Sequence, residues 1–306
     1  MRAVAFAYHN MGLAGLEALK KNGIAISAVF SHRDDPGENI WFGSVVDWAE
    51  NNRIPVFCPE TVNTPEWIEK IRRMAPDILF SFYYRKLLNT EILRIPAAGA
   101  YNLHGSLLPA YRGRCPVNWV LVKGEKKTGV TLHHMIEKAD AGDIVGQREI
   151  WISPEDTAAT LYEKLCAGAG VLLGELLPLI KKGTAPRIPQ DPERASYFGG
   201  RKPEDGKIDW SWPVERTYNL VRAVTEPYPG AFTGLGGRKM LIWRASPERS
   251  ADPGPVPGTV EMEGEDVYVR AADGRLKLLD IEVNGSRMTG RLIFEYFDEK
   301  RGVILK

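Results

Sequence analysis

Short apolar runs and longer amphipathic runs alternate along the first half of the chain. Residues 2–8 (RAVAFAY) are a short apolar run, and the HNMGLAGLEALKKNG after them carries Met11, Leu13, Leu16 and Leu19 at roughly helical spacing. That helix should stop at Gly23, which suits a helix terminus. IAISAVFSH predicts a second strand, so the opening is a βαβ unit and implies a parallel sheet. Asp34-Asp35-Pro36-Gly37 predicts a turn, FGSVVDWAENN a helix starting near Ser44, and IPVF a short strand. TPEWIEKIRRM predicts a helix with Pro65 in its first turn. DILFSFY is uninterruptedly apolar and predicts a central strand buried on both faces. KLLNTEILRI predicts one more helix, and AAGAYNLH the strand after it. The alternation predicts a Rossmann-like doubly wound α/β domain.

Beyond Val145 the rhythm changes. QREIWI is followed by a helix-start signal at Pro154 to Thr157 and a broad apolar stripe in AATLYEKLCAGAGVLLGELLPLIKKG. This helix is expected to close a first domain at 1–182. Residues 183–207 are rich in Pro, Gly and charge, and predict a linker or surface-wrapping segment. From 208 to 306 a short helix around WPVERTYNLVRAV precedes the alternating runs FTGL, KMLIWRA, GTVEMEG, DVYVRAA and RLKLLDIEV. Gly-rich turns separate them, which predicts a small OB-like β-barrel domain.

Composition narrows the function classes. The 306 residues carry a formal charge of +1, with 44% hydrophobic and 26% charged residues, the profile of an ordinary globular protein. No bulk field favours nucleic acid or anionic lipid. No apolar run is long enough for a membrane span or a signal-peptide core, so a cytoplasmic location without membrane insertion is expected. Cys58, Cys115 and Cys166 form no CxxC pair, so neither a disulfide framework nor a zinc site is expected. His133 and His134 fall on opposite faces of a strand and lack a third ligand, so no metal is expected. Gly12 and Gly15 do not complete G-x-G-x-x-G, and no acid follows the second strand as a ribose clamp, which argues against NAD or FAD.

The candidate chemistry lies in 101–145. Asn102 and His104 are two apart on a strand end and therefore share a face; Asp140 follows much later in Ala139-Asp140-Ala141-Gly142-Asp143. Each alone fits a cap or a turn. Together they supply an amide donor for an oxyanion, an imidazole that exchanges protons near neutrality, and a carboxylate to orient it. Ser106 lies in G-S-L-L rather than G-x-S-x-G, so no acyl-enzyme nucleophile accompanies them. The set suits direct transfer between two bound substrates.

These residues resemble the 10-formyltetrahydrofolate-dependent formyltransferase family. The matching motifs are Asn102-Leu103-His104, Ser106-Leu107-Leu108-Pro109, Tyr111-Arg112-Gly113, Thr128-Gly129-Val130-Thr131 and Asp140-Ala141-Gly142-Asp143-Ile144. Further on, Ile208-Asp209-Trp210, Asn219 to Ala223 and Pro229-Gly230-Ala231-Phe232 look like the start of the family's C-terminal domain. The resemblance implies 10-formyltetrahydrofolate as donor, Asn102 on the oxyanion, His104 as proton carrier, and Asp140 as the group favouring its protonated form. It implies folate contacts at Lys86, Leu87, Leu88, Arg114, Ile136, Glu137, Lys138, Ala139 and Asp140, where Leu87 and Leu88 also fit plain core packing.

For the acceptor, FAYHNMG, FGSV, FSFYYR and the Asn102 motif look like the members that formylate UDP-4-amino-4-deoxy-L-arabinose. The alternative is methionyl-tRNA. Its formyltransferases carry a basic insertion after the second strand, whereas SHRDDPGENIWFGSV is not basic. Residues 201–306 hold 17 Lys and Arg against 17 Asp and Glu, so no nucleic acid partner is expected. Some relatives continue into a decarboxylating dehydrogenase domain; this chain stops at Lys306, so only the formyl step is expected. Arg112, Arg201 and Arg222 are candidates for the diphosphate, and Tyr111, Phe198 and Tyr228 for stacking on the base. Each also fits a surface charge or packed aromatic. His9, at the end of the first strand, is a candidate for the sugar pocket.

Overall fold

A computed structural model describes residues 1–35, 37–250 and 254–306, arranged as two compact units. The first comprises 1–116, 127–151 and 162–199; the second comprises 117–126, 152–161 and 200–306. Pro36 of the expected turn at 34–37 lies outside the described residues; beside it, Asp35 Oδ1 accepts the Gly37 N–H at 2.8 Å.

In the first unit β1 (Arg2–Ala7) leads into α1 (His9–Lys21) and β2 (Ala25–Phe30), the βαβ opening the periodicity requires. Then follow α2 (Val45–Asn51), β3 (Val56–Phe57), α3 (Pro65–Met74), β4 (Ile78–Phe82), α4 (Thr90–Leu93) and β5 (Ala100–His104). After β6 (Arg112–Gly113) come α5 (Pro116–Val122), nearly all of which belongs to the second unit, then β7 (Lys127–His134), β8 (Ile144–Trp151), α6 (Ala158–Lys182), whose first four residues also belong to the second unit, and β9 (Tyr197–Phe198). The seven-stranded sheet has the order β3-β2-β1-β4-β5-β7-β8. Its first five strands are parallel, and the order reverses direction beside β1 and β4, the Rossmann-like switch. β7 and β8 are added antiparallel, so the sheet is mixed.

All five residues of β4 are buried, as its unbroken apolar run demands. Phe6 stacks on Phe30 at 4.9 Å in a core with Leu79, Ile71 and Ile92. Gly15 explains how α1 reaches the sheet: a Cβ there would lie 2.4 Å from the Phe82 ring. This glycine serves close helix–strand packing rather than a phosphate loop.

One predicted helix is corrected. Of KLLNTEILRI only Thr90–Leu93 is helical, because Asn89 caps it by accepting the Ile92 N–H at 3.0 Å. The residues before it are drawn elsewhere: the Leu87 carbonyl accepts from Asn63 Nδ2 at 2.9 Å, and the Asn89 N–H donates to Asn63 Oδ1.

The second unit carries α7 (Val214–Val224) and the strands β10 (Ala231–Leu235), β11 (Arg238–Arg249), β12 (Val260–Glu263), β13 (Asp266–Ala271), β14 (Gly274–Val283) and β15 (Ser286–Thr289), then α8 (Arg291–Asp298). The antiparallel sheet runs β10-β11-β14-β13-β12, with β15 also on β14. This is the small β domain the alternating runs predict. Its polar anchors are buried: Trp210 Nε1–H donates to Thr233 Oγ1 at 3.0 Å, and Thr225 Oγ1–H to the Trp243 carbonyl at 2.7 Å.

Candidate active site

Asn102 and His104 project from one face at the carboxyl end of β5, and the antiparallel neighbour adds a third group to that face. β7 places His133 opposite Asn102 and Thr131 opposite His104. Thr131 is structural: its hydroxyl donates to the Ser106 carbonyl at 2.6 Å and accepts the Leu108 N–H at 3.1 Å, fixing the SLLP turn. Gln147 Nε2 adds bonds to the Leu108 carbonyl and Thr131 Oγ1 at 2.8 and 2.9 Å.

Asp140 enters from the β7–β8 connection in a left-handed conformation, φ 54°. Its Oδ2 accepts the Gly113 N–H at 2.8 Å. Its Oδ1 faces three groups at once: Asn102 Nδ2 at 3.5 Å, His133 Nε2 at 3.6 Å and His104 Nδ1 at 3.7 Å. Burial alone would push this carboxyl up. The neighbouring His104 imidazole and the Gly113 N–H outweigh it and hold Asp140 well below the usual carboxylate range. The group is therefore ionised throughout the working pH range.

Bonding partners define the protons. The Tyr111 carbonyl can only accept, so the 2.8 Å contact from His104 Nε2 puts a proton on that nitrogen. His133 Nδ1–H likewise donates to the His134 carbonyl at 2.8 Å, leaving Nε2 to accept from Asn102 Nδ2 at 3.0 Å. One amide N–H of Asn102 is thus held by His133; among the described residues the other has only the Asp140 oxygen, 3.5 Å away.

The loop around these groups is over-determined. Tyr111, Cys115 and Asp140 all have positive φ, a backbone state that is costly unless the surroundings enforce it. The 183–207 segment supplies the enforcement. Gln190 Nε2 donates to the Asp140 and Gly142 carbonyls at 2.9 and 2.7 Å, while its Oε1 accepts from Arg112 Nε and Nη2 at 3.1 and 2.6 Å. β9 pairs with β6. Gly113 admits that strand because its φ is 97° and a Cβ would lie 2.3 Å from the Phe198 carbonyl oxygen.

The structure brings Asn102, His104 and Asp140 together. Among the residues expected at the folate, Leu87 is 71% and Ile136 46% exposed, unusual for such side chains, whereas Leu88 is in the core. Lys86, Arg114, Glu137 and Lys138 are exposed, and the Ala139 carbonyl accepts from Tyr197 Oη at 3.1 Å. Among those expected at the nucleotide sugar, Tyr111 stacks on Phe198 at 4.9 Å, while Arg112 is buried and held by Gln190. His9 is buried. Arg201, Arg222 and Tyr228 belong to the second unit. There Arg222 is buried and donates to the Ser153 and Asp156 carbonyls at 3.2 and 3.1 Å, and Arg201 lies over the Trp119 ring.

Sequence reasoning named Gly113 only as part of a motif and His133 only as a discounted metal ligand, and did not single out Gln190. The signal for His133 was register: an antiparallel strand after β5 puts a residue directly across from Asn102. Nothing in the sequence marks Gln190, which arrives from 50 residues beyond Asp140 in the chain. Among the described residues no group of three or more His, Cys, Asp or Glu is placed to hold a metal ion, and no helix is long and apolar enough to cross a membrane.

Residues 1–174 match the family described as Formyl transferase, and 201–297 match Formyl transferase, C-terminal domain. Among solved structures, an N-formyltransferase from Helicobacter canadensis, in complex with folinic acid and dTDP-3-aminofucose, superposes with a TM-score of 0.71. It is 22% identical over 90% of this chain and 98% of its own. WlaRD, a sugar 3N-formyl transferase solved with dTDP and 5-N-formyl-THF, gives 0.70 at 19% identity, covering 94% and 98%. The methionyl-tRNA formyltransferase of Clostridium thermocellum gives 0.57 at 18% identity, covering 94% and 99%.

Proposed function

The chain belongs to the formyl transferase family, and from that premise we propose that it moves a formyl group from 10-formyltetrahydrofolate to the amine of a nucleotide-linked amino sugar, with UDP-4-amino-4-deoxy-L-arabinose as the first candidate. The observation that carries the chemistry is the single Asp140 oxygen facing Asn102, His104 and His133, with no acyl-forming nucleophile in the cluster. The acceptor class is supported by two sugar formyltransferases of similar fold and by the charge balance of the C-terminal region, which offers no surplus for a tRNA.

The neutral sugar amine attacks the formyl carbon, and the carbonyl oxygen becomes an oxyanion. The Asn102 N–H not held by His133 is the donor for that oxygen. His104 takes the proton lost by the amine and returns it to N10, so that the C–N10 bond breaks to release tetrahydrofolate and the N-formyl sugar. Substrate takes the place of the Tyr111 carbonyl at Nε2, and the ring proton shifts to Nδ1, which faces Asp140, so that Nε2 is the basic nitrogen. Ionised Asp140 compensates the imidazolium and keeps its ring oriented. Exposed Leu87 and Ile136, with Lys86, Arg114 and the 137–140 backbone, are the proposed folate contacts.

Incubation with 10-formyltetrahydrofolate and a panel of UDP- and dTDP-amino sugars, read by product mass, tests the reading, with methionyl-tRNA in parallel. Formylation of the tRNA alone overturns the acceptor. Asn102→Ala, His104→Ala and Asp140→Ala should each lower kcat on the order of 100-fold or more while folate binding changes little. Wild-type turnover in all three removes the catalytic assignment.

A further inference from the structure

His9 is an anomaly that the chemistry above leaves unused. It is the first residue of α1, separated from the end of β1 by Tyr8 alone, with φ 64° and only 6% of its surface exposed. Its Nδ1 accepts the Asn10 N–H at 2.9 Å, so the proton of the neutral ring sits on Nε2. Among the described residues that Nε2–H meets no acceptor. The buried side-chain atoms sealed without a partner are Ser31 Oγ, Tyr84 Oη, Thr128 Oγ1 and Arg270 Nη1. His9 Nε2 is not among these sealed atoms. A donor on a ring this deeply buried is ordinarily satisfied, by protein, water or ligand.

The walls around it are aromatic. Phe42 stacks on the imidazole at 3.8 Å, Trp41 meets it edge-on at 4.6 Å and Tyr162 at 4.8 Å, with Tyr83 at 5.8 Å. Asn10 Oδ1 accepts the Gly43 N–H at 2.8 Å and ties the Trp41–Phe42 loop over the ring. Burial, helped by the nearby Arg85 charge, pushes the imidazole down to about 3, so it stays neutral near pH 7. A neutral N–H among apolar faces suits an uncharged oxygen on a C–H-rich ring, rather than a phosphate.

Its place in the sheet fits. Ala7 pairs with Phe82, and Phe82 with Leu103, so His9 and Tyr83 lie just past the carboxyl ends of β1 and β4, and His104 is the last residue of the adjacent parallel β5. His9 stands two strand spacings, roughly 10 Å, from His104, on the side away from β7. We propose that His9 is an acceptor-binding residue whose Nε2–H donates to a hydroxyl of the amino-sugar ring and so selects among sugars. This rests on the nucleotide amino sugar being the acceptor.

The test pairs substitutions with substrate analogues. His9→Phe keeps an aromatic ring and deletes the donor; His9→Asn withdraws the donor in a residue that tolerates positive φ. With UDP-4-amino-4-deoxy-L-arabinose, or the best acceptor of the panel, both should raise acceptor KM on the order of 10-fold. The KM for 10-formyltetrahydrofolate should hold, and kcat should fall far less than acceptor KM rises. Wild-type enzyme should discriminate against one monodeoxy analogue of the sugar ring by a similar factor, and the variants should lose that discrimination. Variants that keep the wild-type Tm, acceptor KM and discrimination overturn the assignment alone. A shift confined to the folate KM also overturns it. If wild-type enzyme formylates no amino sugar, the acceptor reading fails and His9 loses its role with it.

Discussion

In the reaction proposed above, His133 governs the residue assigned to the oxyanion without meeting substrate itself. The amide of Asn102 has two N–H groups, and the proposed step uses one of them on the developing oxyanion. His133 Nε2 accepts the other at 3.0 Å and is itself locked by its Nδ1–H bond to the His134 carbonyl. Removing that acceptor frees the amide to turn toward the Asp140 carboxylate, the strongest acceptor nearby. His133→Ala should therefore lower kcat roughly 10-fold with unchanged folate Kd, and His133→Gln, which can present an acceptor on the same strand face, should recover part of the loss. A variant as slow as Asn102→Ala would place His133 itself on the reacting atoms; one at full speed would make the contact incidental.

At the scale of elements, close approach outranks intrinsic propensity. In an exposed helix, glycine to alanine gains about 1 kcal/mol. Gly15 of α1 reverses that sign, because the added Cβ meets Phe82 ring carbons at 2.4 Å inside a packed core. Gly15→Ala should destabilise by about 1–3 kcal/mol, read from urea midpoints at constant m. Both signs were present in the chain, but only the coordinates show which neighbour decides. The same division runs through the other elements. Strong periodicity made β1, α1, β2 and β4 legible, and two-residue spacing made Asn102 and His104 a pair. The Asn284–Gly285 dipeptide, both residues at positive φ, turns β14 into β15 and is a hairpin signal within sequence reach. What was not legible depends on long-range pairing: the short α4, cut by the Asn63–Asn89 contacts; the antiparallel β7; and Gln190, whose segment looked like a linker and instead braces Asp140 and Arg112.

For the molecule as a whole, neutral histidines, one buried and one half-buried, make acid the vulnerable side of its stability. His9 is pushed down to about 3 by burial and Arg85. His32 is pushed down to about 4 by burial, Lys86 and Arg85, its Nε2 accepting the Arg85 N–H at 3.1 Å. In the unfolded chain both titrate near 6.5. Between that value and the folded values the unfolded state binds more protons, so unfolding free energy rises with pH across the window and is flat above it. Each histidine contributes a slope of up to about 1.4 kcal/mol per pH unit. Asp140 acts in the same direction but lower: its depressed carboxyl stabilises the fold above about 3.9 and loses that contribution only as pH falls further. The interval from pH 4.5 to 6.5 therefore belongs to the histidines. Urea unfolding of the full chain should show a midpoint that falls through this interval and is level from pH 7 to 8. His9→Phe should lower the slope there by up to about one proton's worth, whatever it does to stability at pH 7. A slope unchanged in His9→Phe and in His32→Phe would mean that neither imidazole is held neutral by the fold.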